Sequence, residues 1–242
     1  MRTIAPATQA KLVVALSAFG RWLVACGQRP TFPAQDLSAQ REQPRPPKAL
    51  APTVVRRLLD AARHTGDLRD AVVVEILAKS GMRASEVAGI QIEHLERGVR
   101  TTWVRVEGKG KKVRRVPLPK TVGQLIEDYL DERMQREGQR PTSGPLVIGQ
   151  RGGITRSTIN RIVDEVAGRA QLTPAQQAGV TPHSFRHTVA TILVRQRDLV
   201  TVADLLGHEN VNTTRRYAKA SASELEDTVE LLMYQDGHDG SA

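Results

Sequence analysis

At 242 residues with 40% hydrophobic side chains, the chain is long enough for one large domain, or one domain and a smaller unit, and for a real core. Aromatics are only 3%, so Leu, Val, Ile and Ala must build that core, and a single cysteine, Cys26, rules out an internal disulfide or thiolate metal cluster and fits a reducing cytoplasm. Lysine and arginine outnumber acids 35 to 26, a net +9 that favours a polyanionic partner, DNA or RNA before others.

Residues 6–25 predict one amphipathic helix, opened by Pro6, carrying Leu12, Val13, Leu16, Phe19, Leu23 and Val24, and stopped by Gly27. One helix cannot bury such a face alone. It contains no secretory pattern, and no run of 18 apolar residues occurs to span a membrane. Residues 28–51 change character: Pro30, Pro33, Pro44, Pro46 and Pro47 alternate with basic side chains, which predicts an extended linker and a domain boundary.

Helical periodicity resumes at Pro52, with Val55, Leu58, Leu59 and Ala62 on one stripe. Residues 68–79 predict a buried helix stopped by Ser80-Gly81, with Gly81 suited to a left-handed cap. Met82 to Val87 is a turn entering a third helix. Residues 99–118 switch to a β-hairpin with a basic tip at Gly108-Lys109-Gly110. A helix over 120–136, a short strand at 145–148, a turn at Gly152-Gly153 and a helix capped by Thr155 through 169 follow. Thr181 caps the next helix with Pro182 at its first position. Short helices are predicted at 200–206 and 212–218, an amphipathic one at 223–233, and a disordered tail at 236–242. The class is α+β, mainly α-helical with a small antiparallel sheet.

The chemistry concentrates late in the chain. His183 and Arg186 lie three apart on one helical face, with His208 and Tyr217 following. Arginine offers a planar fork that matches phosphate oxygens in pairs. Arg83, at a helix start, and Arg186, one turn into its own helix, would together neutralise a phosphodiester and its more charged transition state. His183 and His208 suit hydrogen bonding or proton transfer near neutral pH. Lys109 can reach into a groove from the hairpin tip, or serve simply as a solvated turn, with Lys111 and Lys112 adjacent. Glu86 reads as orienting the turn. A phenol such as Tyr217 is a poor nucleophile unless cations stabilise its phenolate or a base takes its proton. His183 and His187, at i and i+4, also raise a metal hydrolase, although Ser184 stands where the familiar zinc motif has Glu.

Taken in order, Ser80-Gly-Met-Arg83-Ala-Ser-Glu86, Gly108-Lys109-Gly-Lys-Lys, Thr181-Pro-His183-Ser-Phe-Arg186-His-Thr, Leu205-Leu-Gly-His208 and Tyr217 resemble the tyrosine recombinase, or phage integrase, family over about residues 50–220. The resemblance implies a catalytic domain over 52–235, with residues 1–27 similar to the last part of a helical core-binding domain that family members usually carry in full. It implies that Tyr217 attacks the scissile DNA phosphate to form a 3′-phosphotyrosyl link, that Arg83 and Arg186 hold the non-bridging oxygens, that Lys109 protonates the leaving 5′ oxygen, that His183 acts as general acid/base and that His208 hydrogen-bonds the phosphate. It calls for no metal or nucleotide cofactor. It also implies tetramers on two duplexes, with segment 223–233 (Leu225, Val229, Leu232) either exchanged between protomers or folded back on its own domain. Lys111, Arg156 and Arg161 are further candidates for DNA contact. Type IB topoisomerases and telomere resolvases share this chemistry, and a DNA-binding module made inactive by its short N-terminal segment is the alternative reading.

Overall fold

A helix buried on every side organises the larger part of the molecule. We describe the structure, a computed structural model, over residues 6–32, 49–64, 67–99, 101–108, 113–207 and 214. The chain divides into two units, Met1–Pro46 and Pro47–Ala242.

In the first unit, α1 (Pro6–Ala25) ends at Gly27 in the left-handed conformation. Phe32 folds back onto its flank, against the bare backbone of Gly20. Phe19 and Trp22 stack with ring centroids 5.9 Å apart and stay about half exposed, as do Leu12 and Leu16.

In the second unit, α2 (Pro52–Arg63) precedes the central helix, α3 (Leu68–Ser80). Asp67 caps α3 by accepting from the Arg69 N–H at 3.0 Å. From Ala71 to Leu77 the sequence is apolar apart from Glu75, and all of it is buried. A helix apolar around its whole circumference must be a core helix, and α2 and the helices over Lys120–Glu137, Arg156–Arg169 and Pro182–Val194 pack around it. Glu75 is compensated by ion pairs to Arg63 and, at 3.1 Å, to Lys79. Gly81 (φ +65°) ends α3, and a Cβ there would meet Leu206 Cδ2 at 2.8 Å; the position needs glycine both for its φ and for this close approach.

A short α4 (Ala84–Ala88) follows, then a 3-10 turn at Ile92–His94 and a three-stranded antiparallel sheet of β1 (Leu95–Arg97), β2 (Thr101–Glu107) and β3 (Val113–Pro119), in that order. The register pairs Val104 with Val116 and Arg105 with Arg115. Thr102, Val104, Val106, Val116 and Leu118 face the core, while Trp103 and Arg115 stack on the outer face, guanidinium 5.0 Å from the ring centre. The same alternation aims Arg114 inward.

Next comes α5 (Lys120–Glu137), whose Tyr129 hydroxyl accepts from the Ile148 N–H at 3.3 Å, and whose Arg133 donates to the Pro145 and Leu146 carbonyls at 2.9 and 3.1 Å. The segment expected as one strand at 145–148 is extended only in part. It leads into β4 (Ile148–Gly149), and Gly152-Gly153, expected as a turn, is β5, the partner of β4; the reversal falls on Gln150-Arg151. Then follow α6 (Arg156–Arg169), α7 (Pro174–Ala178), α8 (Pro182–Val194) and α9 (Leu199–Leu206). β1 and α7 were not expected, being three and five residues long without clear periodicity. Thr214 is helical; the remainder of the helix expected at 212–218, the helix at 223–233 and the tail lie outside the described residues.

Thr181 caps α8: its hydroxyl accepts from the Ser184 N–H at 3.1 Å, and its own N–H donates to Ser184 Oγ at 2.9 Å. Thr181→Ala is expected to cost about 1 kcal/mol, which for a chain of this size lowers Tm by about 2–4 °C, measurable by calorimetry.

Candidate active site

The turn between α3 and α4 presents Arg83. Its backbone N–H donates to Glu86 Oε2 at 2.8 Å, the return half of a capping box, with the acid three residues into the helix as the spacing requires. The Arg83 side chain then donates from Nη1 to Glu86 Oε1 at 2.8 Å, with Nη2 3.5 Å from the Gly207 carbonyl. That side chain is 44% exposed, whereas the Glu86 side chain is 5% exposed.

Glu86 has a second cation. Arg114, from β3, meets it as a fork, Nη2 to Oε2 at 2.8 Å and Nη1 to Oε1 at 3.0 Å, and its Nε donates to the Leu205 carbonyl at 3.1 Å. Burial pushes the Glu86 carboxyl up, but the hydrogen bonds from Arg114 and Arg83 more than reverse this and hold it below the ordinary glutamate value. Glu86 is therefore a fixed negative charge shared by two arginines. Its role as orienter of the turn holds; Arg114 was not among the residues singled out from sequence.

Arg186 is buried in α8. It donates from Nη1 to the Gly81 carbonyl at 2.8 Å and from Nη2 to the Leu206 carbonyl at 2.7 Å. The last carbonyls of a helix have no partner within it and attract cations, and α9 ends with Leu205 held by Arg114 and Leu206 held by Arg186. Gly207 (φ +65°) closes that end, and a Cβ there would stand 2.8 Å from Arg114 Nη1. Four segments are thus tied together, the Arg83 turn, β3, α8 and the end of α9.

His183 lies one turn before Arg186 on α8 and is exposed; its ring meets His187 edge-on, centroids 3.9 Å apart. Arg156 is exposed at the start of α6, and Arg161, also exposed, pairs with Glu165 at 2.9 Å on the same helix. An exposed pair of this kind is weak. Lys109, Lys111, His208 and Tyr217 lie outside the described residues; Lys109 precedes β3, and His208 directly follows Gly207.

Residues 48–224 match the model of the phage integrase family. The chain belongs to that family. This phage integrase family chain is 35% identical over 216 residues to the tyrosine recombinase XerC of Shewanella amazonensis, covering 88% of this chain and 70% of that one, and 31% identical over 226 residues to XerC of Pelobacter propionicus, covering 92% and 72%. Its fold is similar to that of XerH bound to a palindromic difH substrate in a post-cleavage complex (TM-score 0.74, 20% identity, 95% of this chain and 68% of that chain). It is also similar to the XerA recombinase (TM-score 0.61, 24% identity, 95% and 76%) and to a lambda integrase tetramer bound to a Holliday junction (TM-score 0.61, 17% identity, 85% and 59%). No helix among the described residues is long and apolar enough to cross a membrane.

Proposed function

We propose that this site-specific DNA recombinase, which cleaves and rejoins strands through a tyrosine, uses Tyr217 as nucleophile with Arg83, Lys109, His183, Arg186 and His208 around the scissile phosphate. The supporting observation is the Arg83 guanidinium, half exposed and fixed by Glu86 beside Gly207, with the buried cation Arg186 behind it. A preorganised cation aimed at developing phosphate charge acts without reorganisation during the reaction.

In the first step the Tyr217 oxygen bonds to phosphorus, its proton passing to His183. The bond from phosphorus to the 5′ oxygen breaks, and that oxygen takes a proton from Lys109 and leaves as a hydroxyl. Arg83 and His208 meet the non-bridging oxygens, and Arg186, buried with its terminal nitrogens on the Gly81 and Leu206 carbonyls, adds its positive charge from within the protein. Rejoining reverses these steps with the 5′-hydroxyl of another strand, and the phosphotyrosyl link keeps the phosphodiester energy, so neither nucleotide nor metal is called for. Lys111, Arg156 and Arg161 contact the DNA backbone. Four copies act on two duplexes in the cytoplasm, with segment 223–233 exchanged between neighbours through Leu225, Val229 and Leu232.

The test is a duplex nicked just beyond the cleavage position, from which the short fragment carrying the freed 5′-hydroxyl diffuses away, trapping the covalent intermediate. A protein–DNA adduct that forms in chelator, with the nucleotide mapped to Tyr217 by peptide mass spectrometry, is the expected result. Binding without adduct would support a DNA-binding module instead, and an adduct mapped to another residue would overturn the assignment.

A further inference from the structure

We propose that Arg114 is a positioning residue for strand cleavage: it sets the Arg83 guanidinium and the turn leading to His208, and does not itself touch DNA. The inference rests on the reading of Arg83 and His208 given above.

The strand alternation that buries Val116 and Leu118 sends Arg114 to the same face, beneath the sheet. A guanidinium there must be matched, and it is, at three points: both carboxylate oxygens of Glu86 and the Leu205 carbonyl. The contrast with Arg83 defines the roles. Arg83 is 44% exposed and reaches Glu86 with Nη1 alone, its Nη2 standing 3.5 Å from the Gly207 carbonyl; Arg114 is 15% exposed and spends both terminal nitrogens on Glu86. Glu86 Oε1 accepts from both arginines, at 2.8 and 3.0 Å, so the place where Arg114 holds the carboxylate is the place where Arg83 is anchored.

The Leu205 contact extends the control. Leu205 is three residues before His208, and Gly207 between them lacks the Cβ that would collide with Arg114. Arg114 is also five residues beyond Lys109 along the hairpin. One side chain thus ties the strand after Lys109 to the Arg83 turn and to the end of α9. Lysine, a point charge without a fork, cannot span two carboxylate oxygens and a carbonyl together.

The test measures single-turnover adduct formation on the nicked duplex at saturating DNA, beside DNA affinity, for wild type, Arg114→Ala, Arg114→Lys, Arg83→Ala and the Arg83→Ala/Arg114→Ala pair. A misplacement of about 1 Å at a reacting centre costs on the order of 100-fold. Arg114→Ala is expected to slow cleavage about that much with affinity within about twofold of wild type, and Arg114→Lys to slow it about tenfold. Because Arg114 acts largely through Arg83, its removal in the Arg83→Ala background is expected to cost at least about fivefold less than in wild type. Losses that multiply, a loss confined to affinity, or an Arg114→Lys protein that folds and cleaves at the wild-type rate would each overturn the proposal. Should Arg114→Ala fail to fold, Arg114→Lys alone decides it. A wild-type chain that binds DNA and forms no adduct refutes the underlying reading instead, so the two failures are distinct.

Discussion

Tyr217→Phe is expected to abolish the covalent adduct, lowering its rate by on the order of 10⁴-fold or more, as removal of a nucleophile does elsewhere, while DNA affinity stays within about twofold. Phenylalanine deletes one oxygen and keeps the ring. Affinity resides in lysine and arginine contacts to phosphates, which the substitution leaves intact. The chain has three tyrosines, and the other two make the experiment sharper. Tyr129 is fully buried, its hydroxyl engaged by the Ile148 N–H, and burial pushes its phenol up from the ordinary value, the opposite of what a nucleophile needs. Tyr234 lies 17 residues beyond Tyr217, within the segment after the motif set. Tyr234→Phe is therefore expected to form adduct at the wild-type rate. An adduct that survives Tyr217→Phe and disappears with Tyr234→Phe would reassign the nucleophile.

Local chemistry made much of this fold legible. Thr181-Pro182 marks the start of α8 because a hydroxyl and a missing N–H both suit a helix end. Gly81 marks the end of α3 because only glycine accepts a positive φ there without strain, and Glu86 three residues after Arg83 signals the capping contact. The long-range contacts were not legible in that way. Arg186 spends its buried donors on the carbonyls of Gly81 and Leu206, and carbonyls carry no sequence signature. Arg114 sits among Lys111, Lys112 and Arg115 and reads as one more charge on a basic hairpin. A signal was nevertheless present: Val116 and Leu118 define the inward phase of β3, and Arg114 shares it. A charged residue in the buried phase of a strand demands a partner, and the start of α4 offered an acid in Glu86. The short elements β1, β5 and α7 escaped for a different reason, since two to five residues give too few repeats for a period to show.

Glu86→Gln is expected to lower stability by about 3–5 kcal/mol, the usual consequence of breaking a buried ion pair while leaving the partner charge in place. The glutamine keeps the shape but removes the charge that lies between two guanidinium groups, one of them only 15% exposed. Arg114 and Arg83 would then repel across a neutral amide. The pH dependence separates this electrostatic cause from a packing defect. The Glu86 carboxyl is held below the ordinary glutamate value, so folding favours its ionised form. Its contribution is complete above the unfolded-state pKa, about 4.3, and is lost as pH falls through the lower value held in the fold. Urea denaturation should show wild type and Glu86→Gln far apart near pH 7 and converging in acid, because protonated Glu86 and glutamine are both neutral. A gap that persists unchanged at low pH would make the defect steric. Cleavage should fall as well, by on the order of 100-fold, since Arg83 loses the contact that aims it. Unlike Arg114→Ala, the substitution releases both arginines at once, so one carboxylate that never meets the phosphate governs both the stability of this junction and the direction of its exposed cation.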